Sequence, residues 1–307
     1  MHNIQSQNTV VKAYIGMALS TMIIGLSFVF VKIGLTAANP LDVLAHRFNA
    51  ALAGLLICYL TRLIKLPKFN KHQLRQLLYL SLFYPLLFFG LQAVGLQYTT
   101  ASEAGIVSAT TPIFTLLLAT LILKERNTPI QILGVILSIA GTCYIFLKSG
   151  TVMQGNSLKG NILILLSVLS IVFYYIFGRK INHQYRSIDI TAVMLVVACL
   201  IYNICAIGYH LHDGTIQDYF NPLLNVHFMI AVVYLGVLSS FVTSVLNNYA
   251  LTYIPASQVA VLNTITPIIS VVGGTMILGE HLYLYHYIGA AFVLTGVMIT
   301  IFFKKKD

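Results

Sequence analysis

The chain has 307 residues, of which 58% are hydrophobic and only 8% charged, with a mean hydropathy of +0.86. A soluble domain of this size needs far more charge on its surface, so lipid is the expected solvent for most of it. The net charge of +10 raises the question of nucleic acid, but no basic patch interleaved with aromatics is present, and that partner class is set aside.

Apolar stretches of about 20 residues, enough to cross a bilayer, fall at about 11–35, 41–60, 74–97, 103–123, 129–147, 160–178, 188–209, 227–250, 257–278 and 284–303. Backbone groups in lipid must bond internally, and runs this long and continuous fit helices, not barrel strands. The expected fold is an all-α membrane protein of ten transmembrane helices. The first stretch lacks a strongly basic leader and matches residues 158–180, so it reads as a span and not as a signal peptide.

In chain order, the first stretch carries Ser20, Ser27 and Phe28, and the second carries Asp42, His46 and Arg47 near one end. The third places Tyr84, Phe88 and Gln92 at a spacing of four. The fourth opens on Glu103 and aligns Ser108, Thr111 and Thr115, with Pro112 expected to free a carbonyl in mid-helix. The fifth stretch, at about 129–147, carries Gln131, Gly134 and Gly141. Ser167, Tyr174 and Tyr175 follow in the sixth, and the seventh contains Cys199 and Cys205. Ser239, Thr243, Asn247 and Asn248 mark the eighth; Asn263, Thr266 and Ser270 mark the ninth, with Pro267 as a second expected mid-helix break. The tenth carries His286, Gly289 and Gly296.

Spacings of three, four and seven put each polar set on one helical face. Polar side chains in spans face a bundle interior or a wet cavity. Phe28, Tyr84, Phe88, Gln92, Ser108, Thr111, Tyr174, Tyr175, Thr243, Asn247, Asn248, Asn263 and Thr266 are therefore the candidate cavity lining. For each serine or threonine the competing reading is interhelical packing glue. The buried charges Arg47 and Glu103, with His46, are candidates for proton coupling or recognition of substrate charge. A plain ion pair, Arg47 with Glu103 or with Asp42, is the structural alternative. Glu125 and Glu280, at helix-end loops, are expected to be structural, holding loop amides. Pro112 and Pro267 are paired hinge candidates.

The second half repeats the first. Residues 96–146 lie over 251–301 without a gap, with identities at Tyr98/Tyr253, Ala101/Ala256, Thr111/Thr266, Pro112/Pro267, Glu125/Glu280, Gly134/Gly289 and Gly141/Gly296. Upstream the register shortens, as in Lys12/Lys159, Phe30/Phe177 and Asp42/Asp189, which places a longer loop somewhere in 209–227. Five spans per repeat is an odd number, so the halves are expected to be inverted, the architecture of alternating-access carriers. The two units are 11–147 and 158–303. With the N-terminus inside, fourteen Lys and Arg fall on the cytoplasmic side and Lys32, Lys148 and Lys159 on the other, leaving Arg47 in the membrane.

The four cysteines show no CxxC or metal-ligand spacing, and there is no phosphate loop, GxSxG or HExxH, so no cofactor, metal or catalytic residue is expected. A membrane-embedded enzyme or a passive channel remains a lesser alternative.

The matched blocks carry a family resemblance. Ala101, Pro112, Glu125, Gln131, Gly134 and Gly141, their partners Ala256, Pro267, Glu280, Gly289 and Gly296, and the run Asn39, Pro40, Arg47 resemble the EamA family of the drug/metabolite transporter superfamily. The resemblance covers about Tyr14 to Phe303. It implies an inner-membrane secondary transporter that exports amino acids or other small metabolites, with a small-molecule solute, the bilayer and protons as partners. A multidrug or organic-cation exporter of the same superfamily is the alternative. Tryptophans common in the family's first and sixth helices are missing; Ile24 and Ile171 stand there.

Overall fold

The computed structural model describes the chain except residues 1, 65–69, 124–127, 153–155, 183, 255–258, 260–261 and 303–307. Glu125, Ala256 and Ser257, and the basic residues Lys65, Lys68, Lys124, Arg126 and Lys304 to Lys306, lie outside the described residues. Those described are helical, with no strand among them: α1 His2–Leu35, α2 Pro40–Leu60, α3 Lys71–Gly95, α4 Ala101–Ser108, α5 Thr111–Leu123, α6 Pro129–Val152, α7 Asn156–Asn182, α8 Ser187–Asp213, α9 Ile216–Phe220, α10 Val226–Tyr253, α11 Thr266–Leu278 and α12 Leu284–Phe302. Seven helical stretches are long and apolar enough to cross a membrane, and three shorter apolar helices accompany them. Large apolar side chains such as Leu60, Leu121 and Met276 stand exposed on the outer surface, as lipid-facing residues do.

Local sequence sets the ends. Asn39 caps α2 by accepting from the Asp42 amide, with Pro40 in the first turn, where its missing N–H costs nothing. Asn70 and Gln73 form a reciprocal capping box at α3. Two helices are not regular inside: α3 is kinked within Leu82–Leu87, where Tyr84 ahead of Pro85 has extended backbone (φ −138°, ψ 119°), and α10 widens into a π-turn at Tyr234–Val242. Both irregular turns fall beside the polar stripes.

The expectation that Pro112 and Pro267 interrupt the middle of continuous helices needs correction. Each occupies the second residue of a new helix, α5 or α11, after a short irregular step. The Ser108 carbonyl, deprived of its amide by Pro112, accepts instead from the Thr111 hydroxyl at 2.6 Å.

Helices α6 and α12 meet along their length. Cβ atoms added at Gly141 or Gly160 would stand 2.9 Å from the Gly289 carbonyl and 2.8 Å from the Gly95 carbonyl, so only glycine permits these approaches. Gly296 likewise lies against Gly134. In the repeat register, the Gly141–Gly289 and Gly134–Gly296 contacts are one contact made twice. Helices α1, α3, α4, α5, α7, α10 and α11 pack mutually around the centre.

Candidate functional site

A cavity of about 630 Å³ opens among these central helices. Its wall is Ile24, Ser27 and Phe28 from α1; Tyr84, Phe88, Phe89 and Gln92 from α3; Ser108 and Thr111 at the α4–α5 step; Val168, Ile171 and Tyr175 from α7; Ser239 and Asn247 from α10; and Asn263 and Thr266 at the start of α11. No wall residue carries a formal charge.

Ten of the thirteen residues singled out in the sequence meet here. The other three stand one layer back. Tyr174 and Asn248 hydrogen-bond to each other, and Asn248 also donates to Thr191 at 2.9 Å. Thr243 donates to its own helix, to the Ser239 carbonyl at 2.8 Å. Phe89 and Val168 had no polar signal to mark them.

The wall groups differ in how far the protein satisfies them. Asn263 accepts from Thr21 at 3.2 Å and donates to the Tyr175 hydroxyl at 3.1 Å. Tyr84 pairs with the Ser244 hydroxyl at 3.0 Å, and its ring lies 5.5 Å from Phe88 and 5.2 Å from Phe89. Asn247 has one long contact, accepting from Ser20 at 3.5 Å. Gln92 is buried, yet its side chain has no hydrogen-bond partner among the described residues. Thr266 is the counterpart of Thr111, but its hydroxyl has no hydrogen-bond partner among the described residues. Unsatisfied buried polar groups are costly and call for a ligand or water.

Arg47 and Glu103 are not paired, contrary to the expected ion pair, nor is Arg47 paired with Asp42. The reason is depth. Arg47 is the eighth residue of α2, about 10 Å from the helix start at 1.5 Å per residue, whereas Glu103 sits in the first turn of α4. Arg47 is fully buried: Nε donates to Ser240 Oγ at 2.7 Å, Nη2 donates to Ser239 Oγ at 3.1 Å, and the guanidinium lies 3.8 Å from the Phe89 ring centre. Close approach of α10 makes this possible, since a Cβ at Gly236 would stand 2.6 Å from the Ala50 Cβ.

Asp42 is instead held by His210 Nε2 at 3.0 Å and by the Asn39 amide at 2.8 Å. His46 Nε2 donates to the Tyr219 carbonyl at 2.8 Å, so this group ties α2 to α8 and α9. Its place is away from the cavity wall.

Glu103 is the centre of a second polar cluster, away from the cavity, which joins α4, α7 and α12. It accepts from Ser157 at 2.5 Å, Asn161 at 3.1 Å, Tyr285 at 3.1 Å and His286 at 3.2 Å, with the Thr99 hydroxyl 2.6 Å away. The His286 ring has its Nδ1 accepting from the Tyr283 amide at 2.9 Å, so the Nε2 nitrogen bears the proton donated to Glu103. Glu280 caps α4, accepting from the Ala101 and Ser102 amides at 2.7 and 3.0 Å and from the Ser102 hydroxyl at 2.6 Å. Lys32 donates to the Leu96 and Thr99 carbonyls at 3.0 and 2.9 Å at the end of α3.

Membrane-length apolar helices around a central cavity with no charged side chain in its wall define a multi-pass membrane transporter. The chain belongs to the EamA-like transporter family, whose sequence profile matches residues 11–147 and again 158–302. It is 43% identical over 286 residues to the uncharacterized transporter YcxC of Bacillus subtilis, covering 93% of this chain and 91% of that one. An uncharacterized transporter of Archaeoglobus fulgidus is 28% identical, covering 94% and 97%, and the WAT1-related protein At4g15540 of Arabidopsis thaliana is 25% identical, covering 69% and 65%. A crystal structure superposes with a TM-score of 0.65 at 15% identity, covering 97% of this chain and 99% of that chain, which shows the fold alone.

Proposed function

We propose that the chain is a secondary transporter that exports small organic metabolites of the amino-acid class across the cytoplasmic membrane by alternating access. Seven long spans and three shorter apolar helices make ten crossings. Two inverted five-helix repeats, 11–147 and 158–303, rock about the cavity between them. The reciprocal glycine contacts of α6 with α12 support that symmetry. The observation that carries the solute class is the wall itself: amides, hydroxyls and aromatic faces from both halves, with the Gln92 amide lacking a partner among the described residues. An organic cation would want a carboxylate there, and Glu103 is engaged elsewhere by side-chain donors from α7 and α12.

The test is a thermal-shift screen of metabolites on the purified protein, followed by counterflow in proteoliposomes, since a solute that binds the folded state raises its melting temperature by mass action. Saturable counterflow of a stabilising solute is the expected result; linear, unsaturable flux would sink the carrier reading. Export over import is settled by comparing inside-out with right-side-out vesicles.

Both termini are cytoplasmic in this reading. Single cysteines at the exposed Gln184 and Gln217, in a background lacking the four native cysteines, should then label from opposite faces of the membrane, Gln217 from outside. Labelling of both from one face would refute the orientation and the inversion.

A further inference from the structure

Among the described buried charges, Arg47 alone lacks a matching group. Asp42 has His210, Glu103 has His286 and its neighbours, Glu280 has the α4 amides and Lys32 has two carbonyls. Arg47 has two serines and an aromatic face, and its Nη1 has no hydrogen-bond partner among the described residues. No described carboxylate stands within ion-pair distance of it. A guanidinium left this way inside a membrane protein is expensive, and the usual remedies are a counter-ion or water.

Its position supplies the remedy. Phe89, which covers the guanidinium, and Ser239, which accepts from it, both line the cavity, so Arg47 stands directly behind the wall.

We infer that Arg47 is the anchor for a carboxylate carried by the transported solute, so that the substrates are small organic acids or amino acids with a free carboxyl group. This rests on the proposed solute class and narrows it. A guanidinium meets a carboxylate in a two-pronged hydrogen-bonded pair. Here Nη1, the unpartnered nitrogen, is the one left for the solute. The aromatic faces of Phe28, Tyr84 and Phe88 and the Gln92 amide would hold the rest of the molecule.

The experiment is a thermal-shift titration of the full-length protein in detergent with L-phenylalanine, L-leucine and L-serine, each beside its C-terminal carboxamide. The acids should stabilise the protein and the amides should bind at least about tenfold more weakly, the loss expected when a desolvated charge pair is missing. Arg47→Gln should erase that difference, and Arg47→Lys should keep part of it. If Arg47→Gln does not fold, the acid–amide pairs on wild type and Arg47→Lys decide. Equal binding of acids and amides by wild type would overturn the inference, as would Arg47→Gln with undiminished preference for acids. Response to the amides alone would overturn it while leaving a small-solute transporter intact. No response to either class would overturn it together with the amino-acid reading. Stabilisation by sodium chloride without any response to the acids would show an inorganic-anion site and overturn it as well.

Discussion

Replacing Gln92 with leucine should abolish solute-induced stabilisation while leaving the melting temperature of the solute-free protein almost unchanged. The amide makes no hydrogen bond to any described residue, so nothing in the protein loses a partner when it goes, and leucine fills a similar volume. The solute loses one buried hydrogen bond, about 1–3 kcal/mol in affinity, or roughly five- to 150-fold. Asn248→Leu is the control with the opposite signature. Asn248 accepts from Tyr174 and donates to Thr191, behind the wall. Its loss removes two buried side-chain hydrogen bonds and should destabilise the protein by about 1–3 kcal/mol while the solute response persists. Paired melting curves with and without solute read both effects. If Gln92→Leu melts several degrees lower and still responds to solute, Gln92 is packing glue and the assignment of the cavity fails.

The contrast between these two amides also marks what the sequence can reveal. Helical periodicity identifies faces, and the stripes through Tyr84, Phe88 and Gln92 or through Asn263 and Thr266 do lead to one cavity. Periodicity assumes 3.6 residues per turn. The kink at Tyr84, whose backbone is extended ahead of Pro85, breaks that count and re-aims the remainder of α3, and Phe88 and Phe89 both reach the cavity although they are sequence neighbours. In α10 the wide turns end at Val242, and Thr243 drops off the stripe while Ser239 and Asn247 stay on it. Depth is equally invisible to spacing. Arg47 and Glu103 read as neighbours because both lie near one end of a span, but their distances from those ends differ by about one and a half helical turns. The role of His286 was within reach. It replaces Gln131 of the first repeat and caps its helix in the same way: the Thr128 amide donates to Gln131 at 2.9 Å, and the Tyr283 amide donates to His286. The second ring nitrogen is what the glutamine lacks, and it is the one that donates to Glu103.

Glu103→Ala should produce the largest loss of stability of any single change considered. The carboxylate gathers donors from two helices besides its own, and its removal leaves Ser157, Asn161, Tyr285 and His286 buried around a void. Removing one member of such a buried charged network costs about 3–5 kcal/mol. Glu103→Gln keeps the shape and one acceptor oxygen, but turns an NH₂ group toward hydroxyls and a ring N–H that are themselves donating, so it should fall between wild type and alanine. The same geometry predicts how Glu103 and Arg47 combine. They share no partner: one is held by α7 and α12, the other by Ser239, Ser240 and Phe89. The destabilisations of Arg47→Ala and Glu103→Ala should therefore add to within about 0.5 kcal/mol. Denaturation of the two single variants and the double variant in one detergent measures this directly. A double variant distinctly more stable than the sum would mean that the two charges meet in a populated conformation, and the separation of the Glu103 cluster from the Arg47 anchor would then be lost.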